Sequence, residues 1–559
     1  MNRARGMKKH MEWYLFGLLG LFAFFLCFRS GERGYFAFDQ SFIFDGAYRI
    51  VSGQIPYKDF VIPFGPIVFL VQALFFKIVG ISYFSYIFSG SLMNVAGAVS
   101  SVIILKKLMP DKKLLPWSGG FVTAIWYCPF SGTLYTEQTA FFFIFLNLTA
   151  MFMSLYDDRG RSVRTDMLTL ILGVFASLGF FTKQNAGLIA FPLYFALFVC
   201  IYMGRIRLLL RRIFIFLCGS IASTVCLFLW IWKYSDLRNF IKHVFVVPYA
   251  MGTSRLGADW GVLIKGSNIV QYVLFISLVV AGFVLFLYLY QYKKVKGAWR
   301  NVFMGSVLSI GLISYQFIFN ATANKYPENG FPFIGFILAI TSYLILFMYD
   351  VRNELPGFDK GKVVDGIKLR KAIVLTTLVM FIGISSYGIH LALSRRILYI
   401  INAEFNDPLP IDKVKNLRWA EPTWLVTPSV LARRAKPHKE LRVRESDILG
   451  LYEYLRKKDR NFFIFPDFTI FYALLDKVSP QPVLWFHRGL TYPKEYDESI
   501  DRWIVESLKK NEVRIVVKET TSWKHTGSTL AGLPLMAEYI RNNFRRVKNI
   551  GIFEIHEKI

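Results

Sequence analysis

The chain has 559 residues, 54% of them hydrophobic, with 55 Phe, a mean hydropathy of +0.41 and a formal charge of +28. That is too apolar for a soluble protein of this length. The apolar residues come in runs of about 20, long enough to cross a bilayer's hydrocarbon core, and lipid forces such runs to be helical.

Eleven spans are expected, at roughly 12–29, 84–106, 115–131, 136–156, 166–182, 186–204, 212–233, 268–291, 301–320, 330–349 and 371–393. The first lacks a small-residue cleavage site and is followed by "RSGER", so it does not read as a signal peptide. The N-terminal "MNRARGMKK" places residue 1 in the cytoplasm by the positive-inside rule. Every second connection is then basic: "KKLMPDKK", "DDRGRSVR", "MGRIRLLLRR", "YKKVKGAWR" and 350–371. With the N-terminus these hold 25 Lys and Arg against seven Asp and Glu, which is +18 of the formal +28. The charge therefore reports topology and anionic lipid rather than nucleic acid. An odd number of spans puts everything after about residue 394 outside.

The segment "VIPFGPIVFLVQALFFKIVG" (61–80) is apolar enough to be a span, but counting it would reverse the basic pattern. It is expected to lie along the membrane shoulder, entered after Pro63 and Pro66. The five cysteines, at 27, 128, 200, 218 and 226, all sit in apolar runs, so no disulfide framework supports the outer domain.

Two domains are expected. Residues 1–394 form the transmembrane part, with an outer loop at 30–83, and 395–559 form a soluble, extracytoplasmic α/β domain. In the latter, helices are predicted at 447–458, 500–511 and 535–547, and strands at 461–467, 513–519 and 550–558. Residues 405–446 contain several prolines and read as an extended connector.

Polar residues on the outer side carry the functional signal. The loop after the first span holds Asp39, Asp45 and Asp59. Asp45 and Arg49 are four apart on a predicted helix and should pair. Asp39 has two readings, a cap for the helix beginning near Phe42 or a catalytic acid. Glu137 in "LYTEQTAFFF", Lys183 in "FFTKQNAG" and Lys325 in "NATANKYPENGFPF" lie close to the apolar zone, where ionisable groups need a partner or a task. No Cys/His metal-ligand cluster is visible.

These motifs resemble the GT-C glycosyltransferases, polytopic enzymes that use polyprenyl-phosphate sugar donors and include protein O-mannosyltransferases and lipid A aminoarabinose transferases. Asp39-Gln40 stands where the family has Asp-Glu. Ala47 fits the small position, and Gly53, Pro56 and Asp59 follow. Glu137 matches the family's second acid, Thr182-Lys183 its Thr-Lys turn, and the segment around Lys325 its late outer turn. The likeness covers most of residues 1–390.

The resemblance implies an integral-membrane glycosyltransferase moving a hexose or pentose from a polyprenyl phosphate to a glycan, lipid or protein acceptor at the outer face, with inversion. Asp39 would be the general base. Glu137 would orient the acceptor or help hold a metal, so a divalent cation is a possible cofactor. Lys183, Lys325 and Arg255 are candidates for the phosphate, and Tyr326 and His243 for supporting donors. Asp59 would stabilise the loop's turn or contact the sugar. A lipid or polysaccharide transporter is the competing reading, for which repeat symmetry and broken midplane helices would be expected.

Overall fold

A computed structural model of the chain describes residues 2–33, 35, 37–128, 132–156, 162–256, 269–291, 298–322, 332–351, 366–394, 405–420, 443–486, 491, 496–520 and 530–559. Among them, eight helices are long and apolar enough to cross a bilayer, so this is a multi-pass membrane protein. Each of the eleven expected spans holds a helix. Three fall short of the length criterion over their described residues: Leu115–Tyr127, Tyr272–Tyr288 and Ile334–Asp350.

The helices that frame the site come in chain order. They are α1 (Asn2–Gly31), α2 (Ala37–Val51), α3 (Ile67–Val79), α4 (Tyr83–Leu108), α5 (Leu115–Tyr127), α6 (Thr136–Ala150), α7 (Val163–Phe180), α8 (Gln184–Ile201) and α9 (Ile206–Tyr234). Small residues let the spans approach closely, as lipid-embedded helices require. A Cβ on Gly173 of α7 would lie 2.0 Å from the Phe216 carbonyl, and one on Gly219 of α9 2.1 Å from the Leu170 carbonyl. Ser220 closes the same crossing by donating to the Gly173 carbonyl at 2.9 Å. The far side of α9 exposes Phe214, Ile221, Leu229 and Trp232, an apolar face suited to lipid.

The 61–80 segment folds as helix α3, 13 residues long, about 20 Å at the usual rise per residue. It begins after Pro66 and packs against α2 and α4.

The C-terminal sheet has four strands in the order β3-β4-β6-β5. Here β1 is Phe405–Pro408, β2 Arg418–Ala420, β3 Phe462–Phe465, β4 Ile515–Glu519, β5 Phe544–Ile550 and β6 Phe553–Lys558. Strands β3 and β4 are parallel; β4–β6 and β6–β5 are antiparallel. Helices Glu445–Lys458, Glu498–Lys510 and Pro534–Asn543 accompany it. Asp501 ties two of them together by accepting from the Leu535 and Met536 amides at 2.8 and 2.9 Å.

Two expectations are corrected here. The helix predicted over 535–547 ends at Asn543, and Phe544–Ile550 is a strand. Strand β6 takes it as an antiparallel partner across a turn in which Gly551 has φ +52°. Its Arg545, Arg546 and Lys548 are exposed on the sheet edge, which discourages further pairing. Residues 405–420 are not an extended connector either. They fold as the β1–β2 pair, burying Leu409, Ile411, Val414 and Leu417.

The unit is not independent of the membrane part. Val61 belongs to the same apolar cluster as Phe463, Phe465 and Met536. It bridges Val483, its amide donating to the Pro482 carbonyl at 2.7 Å.

Candidate active site

The loop between α1 and α4 is fixed by two close approaches. Gly65, in "IPFGP", lies against the turn between α7 and α8. A Cβ there would fall 1.8 Å from the Phe181 carbonyl, so only glycine fits. Gln184 reinforces the junction through the Pro63 carbonyl at 3.2 Å and the Val244 carbonyl at 2.7 Å. On the other side, a Cβ on Gly132 would come within 2.1 Å of the Gly31 amide, which draws the 132–135 segment against the end of α1. The α2 helix is thereby held where the ends of α1 and α7 meet the starts of α4, α6 and α8.

Gln40 is buried in this frame. Its Nε2 donates to the Tyr83 hydroxyl at 3.0 Å and to Thr133 Oγ1 at 3.2 Å, and Tyr83 donates onward to the Gly31 carbonyl at 3.1 Å. A neutral amide can donate to both hydroxyls, which a carboxylate cannot. The position after Asp39 therefore pins the helix rather than supplying a second acid.

Asp39, Glu137 and Lys183 come together. Lys183 Nζ is hydrogen-bonded and ion-paired to Glu137, with side-chain exposures of 13% and 5%. The ammonium is flanked by the rings of Phe64 and Phe319, at 5.7 and 5.8 Å from their centroids. Asp39 is hydrogen-bonded to Tyr135 and feels the charges of both Glu137 and Lys183. Burial raises its pKa to about 7 and the Glu137 charge adds to the rise, while the Tyr135 hydrogen bond and the Lys183 charge oppose it. This is the range a general base needs at neutral pH.

The α2 helix is gripped along the stripe that carries Asp39. Positions 39, 42, 46 and 49 fall within about 80° on a helix of 100° per residue. Phe42 stacks on Trp485 with centroids 5.1 Å apart, and on Phe64 at 5.9 Å. A Cβ on Gly46 would meet Phe69 at 2.5 Å and Leu484 at 3.0 Å. Arg49 pairs with Asp45 at 2.8 Å, as expected, and also donates to the Gln481 carbonyl at 2.6 Å and to Ser479. Segment 479–485 of the C-terminal unit thus sets the rotation of the helix that presents Asp39.

The remaining candidates are placed differently. Asp59 is exposed and accepts from the Ile55 amide at 2.7 Å, so it closes the loop's own turn. His243 is buried, with Nδ1 3.2 Å from the Thr491 carbonyl, and burial followed by the neighbouring Lys242 charge lowers its pKa to about 4. It is neutral at pH 7 and sits in the seam with the C-terminal unit. Arg255 lies on the Val247–Leu256 helix, and its side chain is outside the described residues, as are Lys325 and Tyr326.

Among the described residues no three His, Cys, Asp or Glu side chains gather as metal ligands. Asp39 and Glu137 are neighbours, but the Lys183 ammonium already neutralises Glu137. This donor set does not fit a divalent ion clamped between the two acids.

Sequence reasoning missed Tyr135, Phe64 and the gripping segment 479–485. Tyr135 was within sight, two residues before Glu137 in "LYTEQ".

No family model matches the chain, and no curated protein matches it. Solved structures do. The crystal structure of ArnT from Cupriavidus metallidurans bound to undecaprenyl phosphate aligns with 98% of each chain at 12% identity and a TM-score of 0.50. The apo state of the same protein aligns with 99% of this chain and 98% of that one, at 11% identity and a TM-score of 0.50. The chain has an ArnT-like fold. The alignment runs through the helical part and the C-terminal unit alike, so the likeness to ArnT is not confined to the loop motifs.

Proposed function

We propose that this protein is an inverting glycosyltransferase that moves a hexosyl or pentosyl group from a polyprenyl-phosphate donor to an acceptor hydroxyl on the outer side of the cell membrane. The acceptor belongs to a lipid, glycan or protein. The N-terminus is cytoplasmic and the C-terminal unit extracytoplasmic, by the basic residues of alternate connections. The observation that carries the reading is the grouping of Asp39, Tyr135, Glu137 and Lys183 where the α2 loop meets the ends of the spans. A donor of this class keeps its tail in lipid and its headgroup in water, and such a junction offers both. ArnT, bound to undecaprenyl phosphate in one of its structures, supports the donor class.

The transfer is a single displacement. The acceptor oxygen attacks the anomeric carbon on the face opposite the phosphate. The glycosidic C–O bond forms as the bond to the phosphate oxygen breaks. Asp39 takes the hydroxyl proton, with its carboxylate held in place by the Tyr135 hydroxyl. The departing polyprenyl phosphate gains charge, which the Lys183 ammonium meets; Glu137 keeps that ammonium placed and charged until then. Lys183 is thus shared between a resident carboxylate and a transient phosphate.

The test is release of polyprenyl phosphate by the purified protein in nanodiscs, with lipid-linked pentose and hexose donors. Asp39→Asn should lower turnover by about 10²–10⁴-fold while donor binding persists and the unfolding midpoint does not fall. Normal turnover in that variant removes Asp39 as base. Lipid flipping by the wild type, with no transfer to any acceptor, replaces the transferase with the transporter.

A further inference from the structure

A second constellation of charge lies at the end of α1. Arg29, Glu32, Arg33 and Arg418 line a pocket of about 170 Å³. Arg29 Nη1 lies 2.8 Å from Glu32 Oε2, an ion pair whose arginine is half exposed. Arg33 and Arg418 face each other across a parallel β-bridge, fixed by the Arg418 amide donating to the Glu32 carbonyl at 2.7 Å. Backbone geometry therefore holds two guanidinium-bearing residues side by side, with a third one turn back.

Among the described residues of the lining, three arginines stand with one glutamate. Like charges opposite each other on paired strands destabilise the pairing. Burial, and then repulsion from Arg29 and Arg418, lowers the Arg33 pKa, against the opposing pull of Glu32. Three guanidinium groups gathered around one small cavity favour an anion there.

We propose that this pocket binds a phosphate-class oxyanion at the end of the first span, either the headgroup of an anionic lipid or free phosphate. The planar guanidinium fork matches two phosphate oxygens at once, and two such forks suit a tetrahedral dianion. The cavity holds a phosphate group and leaves the rest of an amphiphile outside. Half-exposed Arg29 stands at the rim, where the anion would enter. The site goes beyond the transfer reaction, because it uses none of Asp39, Glu137 or Lys183.

The experiment follows the unfolding midpoint of the full-length protein, in detergent with inorganic phosphate against chloride and in nanodiscs with phosphatidic acid against phosphatidylcholine alone. Wild type should be stabilised, and Arg33→Gln and Arg418→Gln should weaken the apparent affinity by about tenfold or more, the loss expected when one charge-assisted hydrogen bond is removed. A response to inorganic phosphate identifies a soluble anion. A response to phosphatidic acid alone identifies a lipid headgroup. Should the Gln variants fail to fold, Arg418→Lys keeps the charge without the fork and should bind with intermediate strength. No stabilisation by either probe, or stabilisation of equal size in the variants, overturns the proposal. Asp39→Asn should leave the phosphate response unchanged, so the pocket and the transfer reaction stand or fall separately.

Discussion

Among the described residues, the buried acid–base pairs Asp45–Arg49 and Glu137–Lys183 differ in their surroundings. Asp45 and Arg49 are one helical turn apart, with side chains 0% and 1% exposed. The other donors of Arg49 are taken by the Gln481 carbonyl and Ser479, and its guanidinium lies 5.3 Å from the centre of the Phe60 ring. Glu137 and Lys183 come from separate spans and are slightly more open. A third titratable side chain, Asp39, interacts electrostatically with both. The first pair has rigid partners for its charges. The second has a third titratable group beside it, Asp39, and in the proposed reaction its ammonium meets the leaving phosphate. On that reading one pair serves locking and the other chemistry.

The largest effect should come from breaking the lock. Arg49→Met leaves Asp45 buried without its cation, which costs about 3–5 kcal/mol. The measurement is thermal unfolding in detergent, and the expected outcome is a large drop in midpoint together with lost turnover. Arg49→Lys should recover little, because an ammonium cannot serve Asp45, Ser479 and the Gln481 carbonyl in the same fork geometry. Replacing both members, Asp45→Leu with Arg49→Met, should restore much of the midpoint, since no unpaired charge then remains. A single Arg49→Met that unfolds like wild type would erase the distinction between the pairs.

Lys183→Met is expected to act the other way round. The midpoint should move less than in Arg49→Met, because this pair is more open to solvent, whereas turnover should fall by about 10²-fold from the loss of charge at the leaving phosphate. The pH profile adds a sign. Lys183 holds the Asp39 pKa down and Glu137 pushes it up. The acid limb of kcat/KM, near pH 7 in the wild type, should therefore shift upward in Lys183→Met and downward in Glu137→Gln. Below the limb, activity should drop tenfold per pH unit if one carboxylate must be ionised. Limbs that coincide in all three proteins would separate Asp39 from this pair.

Part of this comparison was legible in the sequence, for a physical reason. Asp39, Glu137 and Lys183 stand out because a charged residue near an apolar run is costly, so each announces a task, and all three converge. The Asp45–Arg49 pair was legible from its spacing of four. Its anchorage was not, because Ser479 and Gln481 are more than 400 residues away, and a carbonyl acceptor leaves no mark in composition. Tyr135 was obscured by abundance, since aromatic residues make up 17% of the chain and most serve packing or the membrane interface. Phe544–Val547 was read as helix because "NNFRRV" continues the preceding helical period. The antiparallel demand of β6, which overrides it, is a tertiary effect.

The smallest effect gives the sharpest contrast. The folded-state pKa of Asp39, raised from 3.8 to about 7, means that folding holds on to a proton over that interval. Stability contributed by this group is present at low pH and is lost as pH rises from about 4 through 7, because the unfolded chain ionises first. Asparagine has no such titration. Asp39→Asn should therefore match the wild-type unfolding midpoint near pH 4, exceed it increasingly up to pH 7 and keep a constant margin above. The expected margin is a few degrees, the usual cost of a charge held in place for function. At pH 8 the two replacements then point in opposite directions: Arg49→Met is less stable and inactive, Asp39→Asn more stable and inactive. A lower midpoint for Asp39→Asn at pH 8 would place Asp39 among the structural charges and return catalysis to another residue.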